Sequence, residues 1–232
     1  MGTSLVGSEL LAPGRPALVL ASSSPSRLRV LSDAGFEPLV VPSGVDEDDA
    51  GTSVTETALL LAQRKGEAVV ALISPAPPGT LVLACDSLLE LGGRACGKPG
   101  TREAFLQQWR EMAGGEATLV TGHYLCEPLT GRVVREAVGT AVRFGKPSAA
   151  ELDAYAATGE PLSLAGACSL EGIGAPFIDG IVGDPSNVLG LSLPALRRML
   201  GVLGYSVVDF WRRDLVPERD LDGEDGATVG SV

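Results

Sequence analysis

Carboxylates, lysines, arginines and serines are the side chains best placed to do chemistry in this sequence, because it contains a single histidine, His123. One histidine excludes most Ser-His-Asp, Cys-His and histidine–metal mechanisms. Asp86 directly follows the apolar run 81–85, which is typical of a buried strand, and Glu47 follows another apolar stretch. Functional groups of α/β proteins often lie where strands end. We therefore expect these two carboxylates to hold a divalent cation and to activate a water molecule. The alternatives are a solvated acidic loop at 46–49 and a turn-forming residue at Asp86.

A serine-rich turn follows the first predicted strand, 18–21. Ser24 can cap a helix that has Pro25 as its first residue. The free N–H groups of a helix N-terminus favour a phosphate, and Ser22 and Arg27 can add donors to the same anion. The alternative is an ordinary helix cap that binds no ligand.

The chain has fifteen arginines but only three lysines, Lys65, Lys98 and Lys146. Lysine is a compact point charge and arginine a planar fork, so the two are not interchangeable at a phosphate. Lys98 lies in the stiff Gly-Lys-Pro segment 97–99, which favours an exposed presentation. Lys65 falls on a long predicted helix, where the alternative is a surface lysine without a ligand. The sequence has neither a P-loop nor a Gly-x-Gly-x-x-Gly loop.

The 232 residues carry a formal net charge of −11, and 45% of them are hydrophobic. This composition excludes a wholly disordered chain and argues against a general binder of nucleic acids or anionic membranes. Most of the charge lies at 46–49 and in a tail that we predict to be solvated and disordered. No apolar run reaches the ~18–20 residues of a membrane span. The four cysteines are far apart, so we expect reduced thiols in a cytoplasmic protein.

Hydrophobic periodicity and capping residues predict an α/β fold with a mixed sheet. The pattern indicates one domain over 17–212 with a second lobe at about 100–165, a loose leader over 1–16 and the acidic tail over 213–232. The predicted strands lie at 18–21, 39–41, 81–85, 118–126, 132–144 and 206–211. The predicted helices begin at the caps Ser24, Ser53, Thr101 and Ser148 and near Leu193.

Taken in order, several motifs resemble those of the Maf family of nucleoside triphosphate pyrophosphatases, and of its actinobacterial members in particular. The resemblance covers about 18–205. The motifs are Leu-Ala-Ser-Ser-Ser-Pro-Ser-Arg (20–27), Val-Asp-Glu (45–47), Leu-Ala-Gln-Arg-Lys (61–65), Ala-Cys-Asp-Ser (84–87), Gly-Lys-Pro (97–99), Thr-Gly (121–122), Tyr155 with Gly-Glu-Pro-Leu (159–162), Ala-Gly-Ala (165–167) and Gly-Asp-Pro-Ser-Asn-Val-Leu-Gly-Leu (183–191).

The resemblance implies hydrolysis of a nucleoside triphosphate between its α- and β-phosphates, giving the monophosphate and pyrophosphate, with Mg²⁺ or Mn²⁺ as the divalent metal. It implies a fold similar to that of inosine triphosphate pyrophosphatases: an elongated mixed β-sheet flanked by helices, with two lobes and a central cleft. Asp86 matches the family's proton acceptor, and Glu47 matches an acidic partner near the metal. The phosphate-binding positions are matched by Ser22, Ser24, Arg27, Lys65 and Lys98.

Three positions at which the family sets its base preference are occupied here by Ser26, Ser87 and Glu171. Many members have Arg at the first of these. At the third, the members that cleave dTTP and UTP have Gln, and a Glu is more similar to the branch acting on 7-methyl-GTP. A carboxylate only accepts hydrogen bonds, so Glu171 suits a base edge that presents N–H donors, as guanine does.

Two other functions remain open at this point. One is a house-cleaning hydrolase of the ITP/XTP type, and the other is a nucleotide-binding regulator of septation with little turnover. In either case the expected partner is a nucleotide rather than a nucleic acid or a membrane, and the chain is a possible homodimer.

Overall fold

The computed structural model describes residues 15–45 and 51–215. Within them, seven strands form one mixed sheet in the order β2-β1-β3-β5-β6-β7, and β4 pairs with β3. This confirms the predicted mixed α/β fold. The strands are β1 (Ala17–Leu20), β2 (Leu39–Val40), β3 (Thr80–Leu91), β4 (Arg94–Cys96), β5 (Glu116–Glu127), β6 (Arg132–Phe144) and β7 (Ile178–Val182). The helices are α1 (Pro25–Asp33), α2 (Val54–Ile73), α3 (Arg102–Met112), α4 (Ala149–Ala157), α5 (Pro185–Val188) and α6 (Leu193–Val202).

The helices begin where their capping residues predict. The side chains of Ser24, Ser53, Thr101 and Ser148 each accept a hydrogen bond from a backbone N–H in the first turn of their helix, which satisfies a donor that has no partner within the helix. Ser148 forms the expected reciprocal capping box. In α2 the carboxylate of the third residue, Glu56, accepts instead from the backbone N–H that precedes the cap, at Thr52.

Helix α2 lies unusually close to the sheet, because two glycines remove the side chains that would separate them. A Cβ on Gly122 of β5 would lie 2.3 Å from the carbonyl oxygen of Ala58, and a Cβ on Gly66 would lie 2.3 Å from the ring of Tyr124. The backbone of α2 therefore packs directly against the sheet. Lys65 lies on the buried face of this helix, among mostly apolar residues.

Strand β3 carries different partners along one of its edges. Residues 80–83 pair in parallel with β1, and residues 89–91 pair antiparallel with β4, while β5 pairs with residues 82–90 along the opposite edge. Residues 84–88 thus lie between the ends of two partner strands, at an interruption that we call the β3 gap. Asp86 lies at its centre. The prediction that the strand ends before Asp86 is wrong, because pairing with β5 continues through this polar stretch.

The buried side chains form separate clusters on the two faces and at the far end of the sheet. One cluster packs α1 and α6 on one face, and another packs α2 on the other face. A third, around Phe105, Trp109 and Tyr155, packs α3 and α4 against the distal part of β3, β5 and β6. The rings of Phe105 and Tyr155 meet edge to face at 5.7 Å, and the ring of Trp109 is tilted against Phe105 at 6.3 Å. A second lobe at about 100–165 stays a prediction.

In the later part of the chain, one expectation is wrong and one strand is unexpected. Residues 206–211 form a 3₁₀ helix, Val207–Phe210, instead of a strand, because Ser206 and Asp209 cap each other across its first turn. Strand β7 was not predicted, since Asp179 and Gly180 interrupt its apolar pattern in a glycine-rich stretch. Near the chain ends, the Arg15 guanidinium donates to three carbonyl oxygens of residues 208–211.

Several predictions fall on residues that the structure does not describe. Glu47, most of the predicted leader and the tail beyond residue 215 lie outside the described ranges. All four cysteines of the sequence are described and are free thiols, as expected. Among the helices of the described ranges, none is long and apolar enough to cross a membrane.

The buried imidazole of His123 joins three elements. Its Nε2 lies 2.8 Å from the backbone nitrogen of Ser192, the cap of α6, and its Nδ1 lies 3.2 Å from the carbonyl oxygen of Glu136. The backbone N–H can only donate, so Nε2 accepts and Nδ1 carries the proton of a neutral ring. Burial lowers the pKa of His123 to about 4.

Substituting Gly122 with Ala is expected to destabilise the protein, because the new methyl group would overlap the backbone of α2. The expected loss is about 1–3 kcal/mol in the free energy of unfolding, measured by urea denaturation. Gly201→Ala is the control: a Cβ there meets nothing within 4 Å, and Ala favours a helix by about 0.5–1 kcal/mol. Similar effects of the two substitutions would contradict the close approach of α2.

The burial of His123 predicts an acid-sensitive stability. The folded chain resists protonating a ring that the unfolded chain protonates near pH 6.5, so stability is full above that pH and is lost as the pH falls toward 4. The expected slope approaches about 1.4 kcal/mol per pH unit between pH 6 and 5. Urea denaturation at several pH values measures it. His123→Gln should flatten the slope of the free energy of unfolding against pH in this window. An equally steep slope in the variant would show that other groups cause the pH dependence.

Candidate active site

Successive side chains of β3 point to opposite faces of the sheet, and this alternation continues through the β3 gap. Leu83 and Cys85 belong to the core beneath α1 and α6, whereas Val82 and Ala84 belong to the core beneath α2. Asp86 therefore lies on the α2 face, and Ser87 lies on the α1 face. At the gap, neither β1 nor β4 pairs with β3, and functional groups from both faces lie along this edge of the sheet.

On the α2 face, Lys65 and Asp86 form a buried ion pair. The ammonium Nζ lies 2.5 Å from Oδ1 of the carboxylate, and the two side chains are only 9% and 7% exposed. Each charge compensates the other at a position where an isolated charge would be costly. The alternative of a surface lysine is therefore wrong for Lys65.

On the α1 face, the guanidinium of Arg27 is held by three acceptors. Nε donates to the carbonyl oxygen of Gly190 at 2.8 Å, Nη1 to the hydroxyl of Ser22 at 3.3 Å and Nη2 to the hydroxyl of Ser87 at 3.2 Å. A guanidinium has five N–H donors. Its partners among the described residues thus leave two donors in a fixed orientation, which suits an anion with several oxygens.

The serines before α1 are used to shape the turn. Ser24 caps the helix, accepting from the backbone nitrogen of Arg27, and Ser22 accepts from the backbone nitrogen of Ser24 at 3.1 Å. Ser26 lies in the first turn of α1 and is half-buried. The capping role proposed from the sequence is confirmed for Ser24, and the hydroxyl of Ser22 is shared between the turn and Arg27.

A chain of hydroxyl groups continues from Ser87 into the protein. Its hydroxyl lies 2.9 Å from that of Thr121 in β5, which donates to the backbone carbonyl of Asn187 at 3.3 Å. The side-chain amide of Asn187 is fully buried and donates to β5 and β6. Thr121 and Asn187 are not among the predicted site residues, although both lie in motifs that carry the family resemblance.

Gly190 brings its carbonyl to Arg27 because it has no side chain. Its φ of +97° favours glycine, and a Cβ would lie 3.2 Å from Nε of Arg27 and 3.5 Å from Oγ of Ser87. The segment anchored by Asn187 thereby closes over the guanidinium without displacing it.

The thiol of Cys85 is buried in the core beneath α1 and α6, next in sequence to Asp86. Burial is the main cause that raises its pKa to about 12, and the charges of Arg27, Asp86 and Lys65 all act on it. A thiol with such a pKa remains protonated and is a poor nucleophile. We therefore assign no chemical role to Cys85.

The remaining predicted site residues lie on loops. Lys98 is on the exposed loop between β4 and α3, which is tied to the distal core by a hydrogen bond from Gly100 to the carbonyl of Leu162. Glu171 pairs with Arg29 of α1 at 3.2 Å. The structure thus joins Ser22, Arg27 and Ser87 on one face and Lys65 with Asp86 on the other.

The loop that carries Glu171 is held by a carboxylate from the adjoining turn. Glu160 accepts from the backbone nitrogens of Ile173 and Gly174 and from the hydroxyl of Tyr155 at 2.9–3.2 Å. Hydrogen bonds from these groups lower the pKa of Glu160 against the opposing effect of burial. Glu171 is therefore presented from an ordered loop.

The donor set fits a divalent cation that arrives with a polyphosphate. No three His, Cys, Asp or Glu side chains group together in residues 15–45 and 51–215, so these residues contain no ready-made cage. Mg²⁺ commonly takes one or two carboxylates, substrate phosphate oxygens and several waters. Asp86 offers one such carboxylate.

The chain is similar to known proteins along most of its length. The family described as "Maf-like protein" matches residues 17–203. A protein of Streptomyces coelicolor is 49% identical over 197 residues, covering 85% of this chain and 95% of its own. Relatives from Saccharopolyspora erythraea and Mycobacterium sp. (strain JLS) are each 48% identical, covering 83% and 84% of this chain and 96% and 98% of their own. All three carry the name nucleoside triphosphate pyrophosphatase.

The family match covers both halves of the site, from the serine-rich turn before Arg27 to the segment that holds Asn187 and Gly190. The resemblance seen in the sequence is thereby confirmed, and the chain belongs to the Maf family.

Proposed function

We propose that this chain is a nucleoside triphosphate pyrophosphatase that hydrolyses the bond between the α- and β-phosphates of its substrate. The buried Lys65–Asp86 pair at the β3 gap is the observation that carries this proposal. It provides a carboxylate beside a cation, across a sheet edge from the preorganised guanidinium of Arg27. The names of the relatives support the same reaction.

Asp86 acts as the base that accepts a proton from the attacking water. Oδ1 of its carboxylate accepts a hydrogen bond from Lys65, which holds the carboxylate in place. Attack of the water oxygen on phosphorus breaks the bridging P–O bond, and pyrophosphate leaves. Such a displacement needs alignment and charge stabilisation more than covalent chemistry.

The cations hold the phosphates in line with the water. Arg27 presents its two remaining donors to phosphate oxygens, and Ser22 lies beside it. Lys65 supplies a point charge at the base, and we propose that Lys98 reaches the phosphates from its loop. A bound Mg²⁺ or Mn²⁺ would neutralise phosphate charge, held by Asp86 and, on the family resemblance, by Glu47.

The nucleobase of the substrate is recognised by Ser26, Ser87 and Glu171. Glu171 accepts hydrogen bonds only, so it favours a base edge with N–H donors, as in guanine. Its ion pair with Arg29 positions it beside α1, the helix that carries Ser26. We place the protein in the cytoplasm with a nucleotide as its partner, and a homodimer stays a prediction.

Asp86→Asn is expected to lower the rate of pyrophosphate release about a hundredfold or more, since an amide cannot accept the proton of water. Pyrophosphate is measured with Mg²⁺ or Mn²⁺ across a panel of nucleoside triphosphates. Asp153→Asn is the matched control, because it removes the same charge from an exposed position on α4. A variant at Asp86 that keeps the full rate would exclude it as the base.

Glu171→Gln is expected to reduce the preference for guanine nucleotides by about tenfold, because the amide replaces one acceptor by a donor. The readout is the ratio of kcat/KM for GTP to that for UTP. Glu103→Gln, at an exposed position of α3, is the control. If the wild type and the Glu171 variant turn over all nucleotides equally, Glu171 does not read the base.

A further inference from the structure

At the β3 gap, one arrangement of protons makes both contacts of the Thr121 hydroxyl hydrogen bonds. The Thr121 hydroxyl lies 3.3 Å from the backbone carbonyl of Asn187, which only accepts, so Thr121 uses its one proton there. It must then accept in the 2.9 Å contact with Ser87. The proton of Ser87 is therefore donated to Thr121.

The hydroxyl of Ser87 also accepts a hydrogen bond from Arg27. Nη2 of Arg27 donates to its hydroxyl at 3.2 Å. A hydroxyl has one proton and two lone pairs. Donating to Thr121 and accepting from Arg27 leaves Ser87 one lone pair and no proton, so it can meet a ligand only as an acceptor.

We propose that Thr121 is a positioning residue for substrate selection: by taking the only proton of Ser87, it makes this position accept N–H donors and reject carbonyl oxygens. The inference rests on the proposed function, in which Ser87 contacts the base. Ser87 and Glu171 would then both be acceptors, so the favoured class is nucleotides whose base edge presents amino and imino N–H groups.

Burial makes this arrangement persistent. Thr121 is fully buried, while Ser87 is half-buried at the gap. Water therefore has little access to the Thr121 hydroxyl and cannot readily replace Ser87 as its partner. A buried acceptor facing an acceptor on the substrate leaves both unpaired, which is why such sites discriminate strongly.

Thr121→Val tests the proposal with little change of shape. Valine keeps the branched outline that suits a strand, and the carbonyl of Asn187 retains the N–H of Gly190 at 2.9 Å. The variant removes the acceptor for the Ser87 proton, which becomes free to donate to a ligand. Thr121→Ser is the matched control, because it keeps the hydroxyl while losing the methyl group.

Binding of α,β-methylene analogues of GTP and XTP is measured by calorimetry, since these resist cleavage and differ at C2 by an amino group against a carbonyl. Thr121→Val is expected to lower the ratio of the affinity for the GTP analogue to that for the XTP analogue about fivefold to tenfold. Thr121→Ser is expected to leave this ratio near the wild-type value. An unchanged ratio in Thr121→Val, or no binding of either analogue to the wild type, would overturn the inference.

A second comparison separates polarity from general loosening of the site. In a Ser87→Ala background, Thr121→Val should no longer change the ratio, because its effect passes through the Ser87 hydroxyl. A change that persists there contradicts the proposal. Pyrophosphate release by the wild type is assayed separately: its absence with the binding ratios as expected would refute the proposed reaction and leave the role of Thr121 standing.

Discussion

A charged pair in the interior of the protein can persist only if the fold brings both members together as it forms. Lys65 and Asp86 meet at 2.5 Å with almost no exposure, so the position of α2 relative to β3 is part of the chemistry. That position depends on Gly122 and Gly66, where helix and sheet come too close for any side chain. The base and its cation are thus held by backbone packing, which is more rigid than a contact between flexible surface groups.

The opposite face solves a different problem, the orientation of a guanidinium. Arg27 lies on a short helix whose first turn is shaped by Ser22 and Ser24, and its Nε is held by a carbonyl from the segment anchored at Asn187. Elements far apart in sequence therefore fix the orientation of the guanidinium before a ligand binds. Preorganised donors of this kind stabilise developing charge without reorganising during the reaction.

The sequence predicts well what is local and poorly what depends on distant partners. The caps Ser24, Thr101 and Ser148 lie where expected, because a cap needs only its own first turn. The end of β3 could not be read in the same way, since β5 continues to pair with it beyond the apolar run. The burial of Lys65 and the partner of Ser87 depend likewise on packing that no local pattern encodes.

The pleat of β3 has an evolutionary consequence. Asp86 and Ser87 are neighbours in sequence but lie on opposite faces, while β5 fixes the register over residues 82–90. Inserting or deleting one residue within the β3 gap would exchange the two faces for every side chain beyond it. We expect active members of the family to have no insertions or deletions in this segment, or only ones of two residues. The length of the segment is then as strict a constraint as the identity of its residues.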